Sequence, residues 1–176
     1  MTSSIVILII LIIILLYLYN SLINKKKQVE NIFASVDVQL KKRYDLLPNL
    51  IANVSRYMEQ ERELLEKITQ LRLQAINPHL SDDEKIQLDS KISSALGTVM
   101  LAIKDYPELK LNENILNLQL ILNKIEEKIS VSKRAYNQAV TDYNNAIEII
   151  PTNFMAKSMN YKRKEVFSLD KKTRED

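Results

Sequence analysis

The sequence is 176 residues long, with one glycine (Gly97), four prolines, and no cysteine or tryptophan. So little glycine excludes a β-rich or doubly wound fold, whose turns and positive-φ positions need more of it; the absence of cysteine excludes disulfides, thiolate metal sites and a cysteine nucleophile. The formal charge of +3 is too small to argue for nucleic acid.

The distribution of that charge is more informative. No charged side chain precedes Lys25; Lys25, Lys26 and Lys27 then give +3, and residues 157–176 hold seven basic and four acidic groups. A mildly acidic body therefore lies between two basic ends, and a basic patch beside an apolar segment favours an anionic membrane surface.

Residues 5–23 are uncharged, and residues 5–19 are apolar or aromatic without interruption. A helix of that length spans roughly 28 Å, close to the hydrocarbon thickness of a bilayer. Tyr17 and Tyr19 fall near the lysine end, where amphipathic rings prefer the headgroups. A cleaved signal peptide is the competing reading, but it calls for positive charge before the apolar run and small residues at a cleavage site. The leader is Met-Thr-Ser-Ser and no such site follows. The expectation is an uncleaved anchor over residues 1–24, oriented by its lysines with the N-terminus outside and the rest cytoplasmic.

Helical spacing resumes after Lys27 with Val29, Ile32, Phe33, Val36, Leu40 and Tyr44. No Gly or Pro lies between Met1 and Leu47, so the anchor can run into this helix unbroken. Asp45 followed by Pro48 predicts a helix break, with Asp45 as N-cap and Pro48 in the first turn; a proline kink in one long helix is the alternative. A second helix is expected from there to Ala75, ahead of Asn77-Pro78-His79. Ser81 to Glu84 reads as a capping box opening a third helix that stops at Tyr106-Pro107. A fourth begins near Asn112 and is halted by Pro151. Short connections make neighbours antiparallel. The predicted fold is all-α: an N-terminal transmembrane helix followed by an antiparallel up-and-down four-helix bundle over residues 25–156, with a basic tail over 157–176.

Catalytic chemistry is scarce. The single histidine, His79, lies in a loop with no glutamate three residues before it, so a bundle di-iron site cannot be built. A phosphate loop is ruled out by the lone glycine, and Glu59, Glu61, Glu63 and Glu66 wrap around a helix without converging. No catalytic residue, metal site, cofactor or small-molecule substrate is expected. Two polar groupings remain. Asp37, Gln39, Arg43, Tyr44, Asp45 and Asn49 crowd the predicted first corner, where Arg43 can cap carbonyls or pair with Asp37 or Asp45. Tyr136-Asn137 and Tyr143-Asn144 repeat after seven residues, which puts both tyrosines on one helix face, to pin register or to form a surface.

The run Val36-Asp37-Val38-Gln39-Leu40-Lys41-Lys42-Arg43-Tyr44-Asp45-Leu46-Leu47-Pro48-Asn49-Leu50 resembles the hallmark of the LemA family. Ile68-Thr69-Gln70-Leu71-Arg72, Tyr106-Pro107-Glu108-Leu109-Lys110-Leu111-Asn112, Arg134-Ala135-Tyr136-Asn137 and Pro151-Thr152-Asn153 are similar to later family elements, in the right order. The chain departs where Met159-Asn160-Tyr161 replaces a Phe-Gly-Phe-like element. The resemblance implies a single-pass membrane protein with a helical bundle and no defined activity; the family includes relatives associated with bacterial membrane organisation.

The expected function is a non-enzymatic scaffold or adaptor in the bacterial inner membrane. Its partners would be the lipid bilayer, other proteins and possible further copies of itself, without nucleic acid. The alternative is a lipid-organising protein whose Lys25, Lys26, Lys27, Lys162, Arg163 and Lys164 contact anionic headgroups. That placement of the tail is expected only if Pro48 breaks the helix; a kink would leave the tail at the far end.

Overall fold

A computed structural model describes residues 2–168; the basic end of the tail beyond them, with Lys171, Lys172 and Arg174, lies outside the described residues. Helices make up the fold, and no strand occurs among the described residues. Helix α1 covers Thr2–Val54, α2 Arg62–Ala75, α3 Asp82–Ala102, α4 Pro107–Lys110, α5 Glu113–Glu148 and α6 Thr152–Ser158, with a 3-10 turn at Ile103–Asp105 between α3 and α4.

The predicted break at Asp45 and Pro48 is not there. Pro48 lies inside α1, which continues to Val54. A proline within a helix leaves the carbonyl one turn back without its amide partner. That carbonyl belongs to Tyr44, and Arg72 of α2 donates its Nε–H to it at 2.8 Å. A tertiary donor thus replaces the missing backbone bond, and the helix proceeds. The chain turns instead at residues 55–61, where Met58 is fully buried and its amide bonds to the Val54 carbonyl at 3.0 Å. Tyr106 also donates its phenol to Glu61 at 2.6 Å.

The other boundaries follow local chemistry. Ser81 accepts the Glu84 amide while the Glu84 carboxylate accepts the Ser81 amide, a complete capping box. The same exchange holds the Glu84 carboxyl below its ordinary pKa, through its bonds with the Ser81 hydroxyl first and the amide second. Asn112 caps α5, its Oδ1 accepting from the amides of Asn114 (3.0 Å) and Ile115 (3.3 Å). Pro107 opens α4, where its absent N–H costs little.

The chain divides into two compact units. One takes residues 2–34 with Ala135–Val166; the other takes Ser35–Arg134 with residues 167–168. In the second unit the buried apolar stripe of α1 (Val36, Leu40, Leu47, Leu50, Val54) has the three- and four-residue spacing of one helix face. It shares a core with Leu65 and Ile68 of α2, Ile92 and Val99 of α3, and Ile115, Leu122 and Ile129 of α5.

In the first unit, residues 2–17 are all exposed, whereas Leu22, Val29 and Phe33 are buried. Phe33 packs on Tyr136 with ring centroids 5.4 Å apart. After α6, Asn160 takes a positive φ of 52°. Its amide bonds to the Lys157 carbonyl at 3.1 Å and the Tyr161 amide to the Ala156 carbonyl at 2.9 Å, the bonding pattern of a left-handed helix cap. Asparagine tolerates that conformation better than most residues, because its short polar side chain can hydrogen-bond locally.

Candidate functional site

The polar residues of the predicted corner lie along successive turns of one continuous helix and do not converge. Asp45 and Asn49 are exposed. Asp37 is half-buried and pairs with Lys41 on its own helix and with Lys85 of α3, each at 3.1 Å. Arg43 and Tyr44 face inward.

Arg43 is fully buried, and its partners are neither Asp37 nor Asp45. Its Nη2 donates to Asp89 of α3 in a short contact. Its Nη1 donates to Ser93 of α3 and to Glu126 of α5, both at 2.9 Å. The other oxygen of Asp89 receives Lys133 of α5 at 2.6 Å. Two cations and two carboxylates therefore close on each other across three helices. Burial lowers the Arg43 pKa, and the charges of Asp89 and Glu126 more than reverse this, leaving it raised. Tyr44, under the Arg43 guanidinium at 5.7 Å, has its phenol pushed far above its ordinary value, first by burial and then by the Asp89 charge. Both effects hold the groups in one protonation state, which suits a structural lock and not proton transfer at neutral pH. Lys133 in turn lies over the buried Phe167 ring at 5.4 Å.

The Tyr-Asn heptad sits in the first unit and works on the chain that follows α6. Tyr136 and Tyr143 are buried on one face, Asn144 is buried beside them, and Asn137 is half-buried. Tyr143 donates its hydroxyl to the Lys162 carbonyl at 3.1 Å. Asn144 donates to the Lys164 carbonyl and accepts from the Lys164 amide, both at 3.0 Å. Arg163 pairs with Glu148 at 2.6 Å. Residues 160–164 are thus strapped along the end of α5. The Tyr161 ring lies tilted against Tyr143, with centroids 6.1 Å apart, and receives Lys26 over its face at 5.1 Å. Residues 160–164 of the tail therefore lie beside the lysines that follow the apolar segment even though Pro48 breaks no helix, contrary to the conditional expectation. The turn at residues 55–61 takes over the reversal assigned to Pro48. Lys27, Lys162 and Arg163 are exposed around this point, with Lys25 and Lys164 half-buried.

Other features are surface ones. The outer face of α5 in the second unit exposes Leu116 and Leu120, one turn apart, and Val131 three turns further along the same face. An open groove of about 750 Å³ is lined by Ile51, Met58 and Leu65, with the Arg62–Glu66 ion pair at its rim. Among the described residues no group of three His, Cys, Asp or Glu is placed to hold a metal ion.

Reasoning from sequence missed Asp89, Glu126 and Lys133, the partners of Arg43, and Arg72, the partner of Tyr44. Heptad position alone marks Glu126 and Lys133, seven residues apart on one helix face, as a candidate charge pair.

The family model of the LemA family matches residues 32–176. The chain belongs to the LemA family. Protein LemA of Metamycoplasma hominis is 26% identical over 157 residues, covering 89% of this chain and 72% of that protein. Magnetosome proteins MamQ 1 and MamQ 2 of Paramagnetospirillum magneticum are each 29% identical over 79 residues, or 45% of this chain, which spans only 29% of their length. The LemA family match takes in the whole buried charge cluster and the strap, and it begins beyond the apolar segment. That segment belongs to a helix long and apolar enough to cross a membrane, with a mean hydropathy of 2.9 over its most apolar stretch.

Proposed function

We propose that this LemA-family protein is a membrane-anchored, non-catalytic scaffold of the bacterial inner membrane, binding other proteins through the outer surfaces of its helical body. The reading takes the apolar stretch of α1 as a single span, with the N-terminus outside and the body cytoplasmic. It takes the four long helical segments of the second unit as an up-and-down bundle. The register of the bonds supports this: Asp37 pairs with Lys85 and Arg43 with Asp89, so α1 and α3 run together. Arg43 meets both Ser93 and Glu126 while Asp89 meets Lys133, so α5 runs against α3.

The observation that carries the scaffold reading is the exposed apolar row Leu116, Leu120 and Val131 on α5, since apolar rows left in solvent on a helix commonly mark a partner's contact. A photo-crosslinking amino acid in place of Leu120, in the full chain in native membrane discs, is expected to capture one protein partner, another chain or a second copy, in stoichiometric yield. Recovery of none refutes the reading. Orientation is tested with single cysteines, since the chain has none: Ser3→Cys should react with an impermeant maleimide outside whole cells, and Ser55→Cys only after lysis.

A second reading, contact with anionic lipid, is favoured by the proximity of Lys26 to Tyr161, which gathers the two basic clusters at one place. Anionic lipid should be enriched among the lipids that co-purify with the full chain. The enrichment should fall when Lys162, Arg163 and Lys164 are all changed to Ser; unchanged enrichment sinks this reading.

A further inference from the structure

The end of α5 and the short α6 carry exposed apolar side chains whose position along α1 can be worked out. Phe33 meets Tyr136. Seven residues back along α1, Lys26 meets Tyr161, whose ring lies tilted against that of Tyr143, seven residues forward along α5. Within this unit the two helices therefore run antiparallel with a constant register, 33 beside 136 and 26 beside 143.

From Tyr143 the chain continues towards Ile150, an advance of about 10 Å at the rise of a helix. On α1 the same advance leads from Lys26 to Tyr19, inside the apolar stretch. Leu22 supports this extension independently. It is 0% exposed although residues 2–17 are all exposed, so packing against α1 persists past the lysines and into the apolar stretch. The chain then makes α6 and returns at Tyr161 to the level of Lys26. At the apex of this excursion stand Ile149, Ile150 and Phe154, which is 67% exposed. Lys157, Lys162, Arg163 and Lys27 are exposed nearer its base.

We infer that residues 149–154 form an apolar wedge that enters the headgroup and acyl boundary of the leaflet crossed by the anchor, with the basic residues at its base on anionic headgroups. The inference rests on the membrane-anchored reading and deepens it. Apolar groups at the level of Tyr19 cannot remain in water if the α1 stretch lies in hydrocarbon. An apolar tip with a basic surround is the composition of interfacial segments, whose apolar face sits about 5–10 Å into the boundary. The occupant is therefore the lipid of the anchor's own leaflet.

The chain has no tryptophan, so single-tryptophan variants report one position each. Tyr17→Trp, Ile150→Trp, Phe154→Trp and, in the second unit, Leu111→Trp all replace exposed residues; helicity by circular dichroism checks that each folds. Each full-length variant is reconstituted into vesicles of anionic and zwitterionic phospholipid carrying bromine at defined acyl depths. The inference expects strong quenching at Tyr17→Trp and, by shallow bromines, at Phe154→Trp and Ile150→Trp, with Leu111→Trp unquenched. Quenching at Tyr17→Trp with none at residues 150 and 154 overturns the wedge and leaves the anchor standing. No quenching at Tyr17→Trp overturns the anchored reading and the wedge with it. Quenching at Phe154→Trp no stronger than at Leu111→Trp also overturns the wedge.

Discussion

Replacing Arg72 tests whether a side chain of α2 keeps α1 continuous through its proline. Arg72→Met keeps most of the aliphatic stem but removes the donor that lies 2.8 Å from the Tyr44 carbonyl. That carbonyl cannot turn to the residue one turn ahead, because Pro48 has no N–H. A partly buried carbonyl left without a donor costs about 1–3 kcal/mol. Pro48→Ala restores the backbone N–H and makes Arg72 redundant. The alanine gains roughly the 3 kcal/mol that an internal proline costs, less about 1 for the lost stiffening of the unfolded chain and about 1 for the bond that Arg72 already supplies. A net gain near 1 kcal/mol is expected. In urea denaturation of the full chain in a non-ionic detergent, followed by circular dichroism, Arg72→Met should lower the midpoint by roughly 0.5–1.5 M for a slope of about 2 kcal/mol/M. The same change in the Pro48→Ala background should cost little, giving a coupling of about 1–3 kcal/mol. An equal cost of Arg72→Met in both backgrounds refutes the reasoning.

The buried charge cluster predicts an asymmetry: Asp89→Ala strands both Arg43 and Lys133 and should cost about 3–5 kcal/mol, while Glu126→Ala removes a carboxylate that is 41% exposed and should cost about 1 kcal/mol or less. Equal urea midpoints for the two variants contradict it. Tyr44 gives a pH prediction. Its folded pKa is raised, so its contribution is fully present below the ordinary phenol value of 10.0 and is lost as pH rises above it. Parent and Tyr44→Phe should then show the same phenolate absorbance up to pH about 11, with the parent losing stability more steeply beyond pH about 10; an extra phenolate in the parent below that pH refutes it. Asn144→Ala should release the strap: with two bonds lost at about 1 kcal/mol each, the Lys164 amide should exchange its hydrogen roughly thirtyfold faster, and unchanged exchange tells against the clamp.

Those perturbations fall on residues of unequal legibility. Ser81 to Glu84 and Asn112 could be read because a cap is closed by residues two or three positions away, and the apolar stripes could be read because burial imposes a period. The end of α5 before Pro151 was legible for the same local reason. The partners of Arg43 were not, since Asp89 and Glu126 lie 46 and 83 positions away along the chain. Sequence spacing displays neighbours on one helix, so Asp37 and Asp45 were the visible candidates. Pro48 misled in the same way, because its penalty is local but the compensating donor is 28 positions from Tyr44. The true turn at residues 55–61 had a quieter signal: residues 59–63 are five consecutive polar side chains that interrupt the apolar period.

The polar residues that first invite a functional reading are largely consumed by structure. Arg43, Asp89, Glu126 and Lys133 neutralise one another, and Tyr44 is held protonated beside them. Tyr143 and Asn144 spend their hydrogen bonds on the backbone of residues 162–164. That second use has a consequence for function. A strap held by backbone bonds leaves the side chains of Lys162 and Arg163 outside, with their chain already ordered, so a negatively charged surface meeting them need not pay that part of the entropy again. The interior polar groups thus fix where the exposed cations stand, at the foot of the apolar stretch, while the apolar side chains of Leu116, Leu120 and Val131 stay exposed on α5.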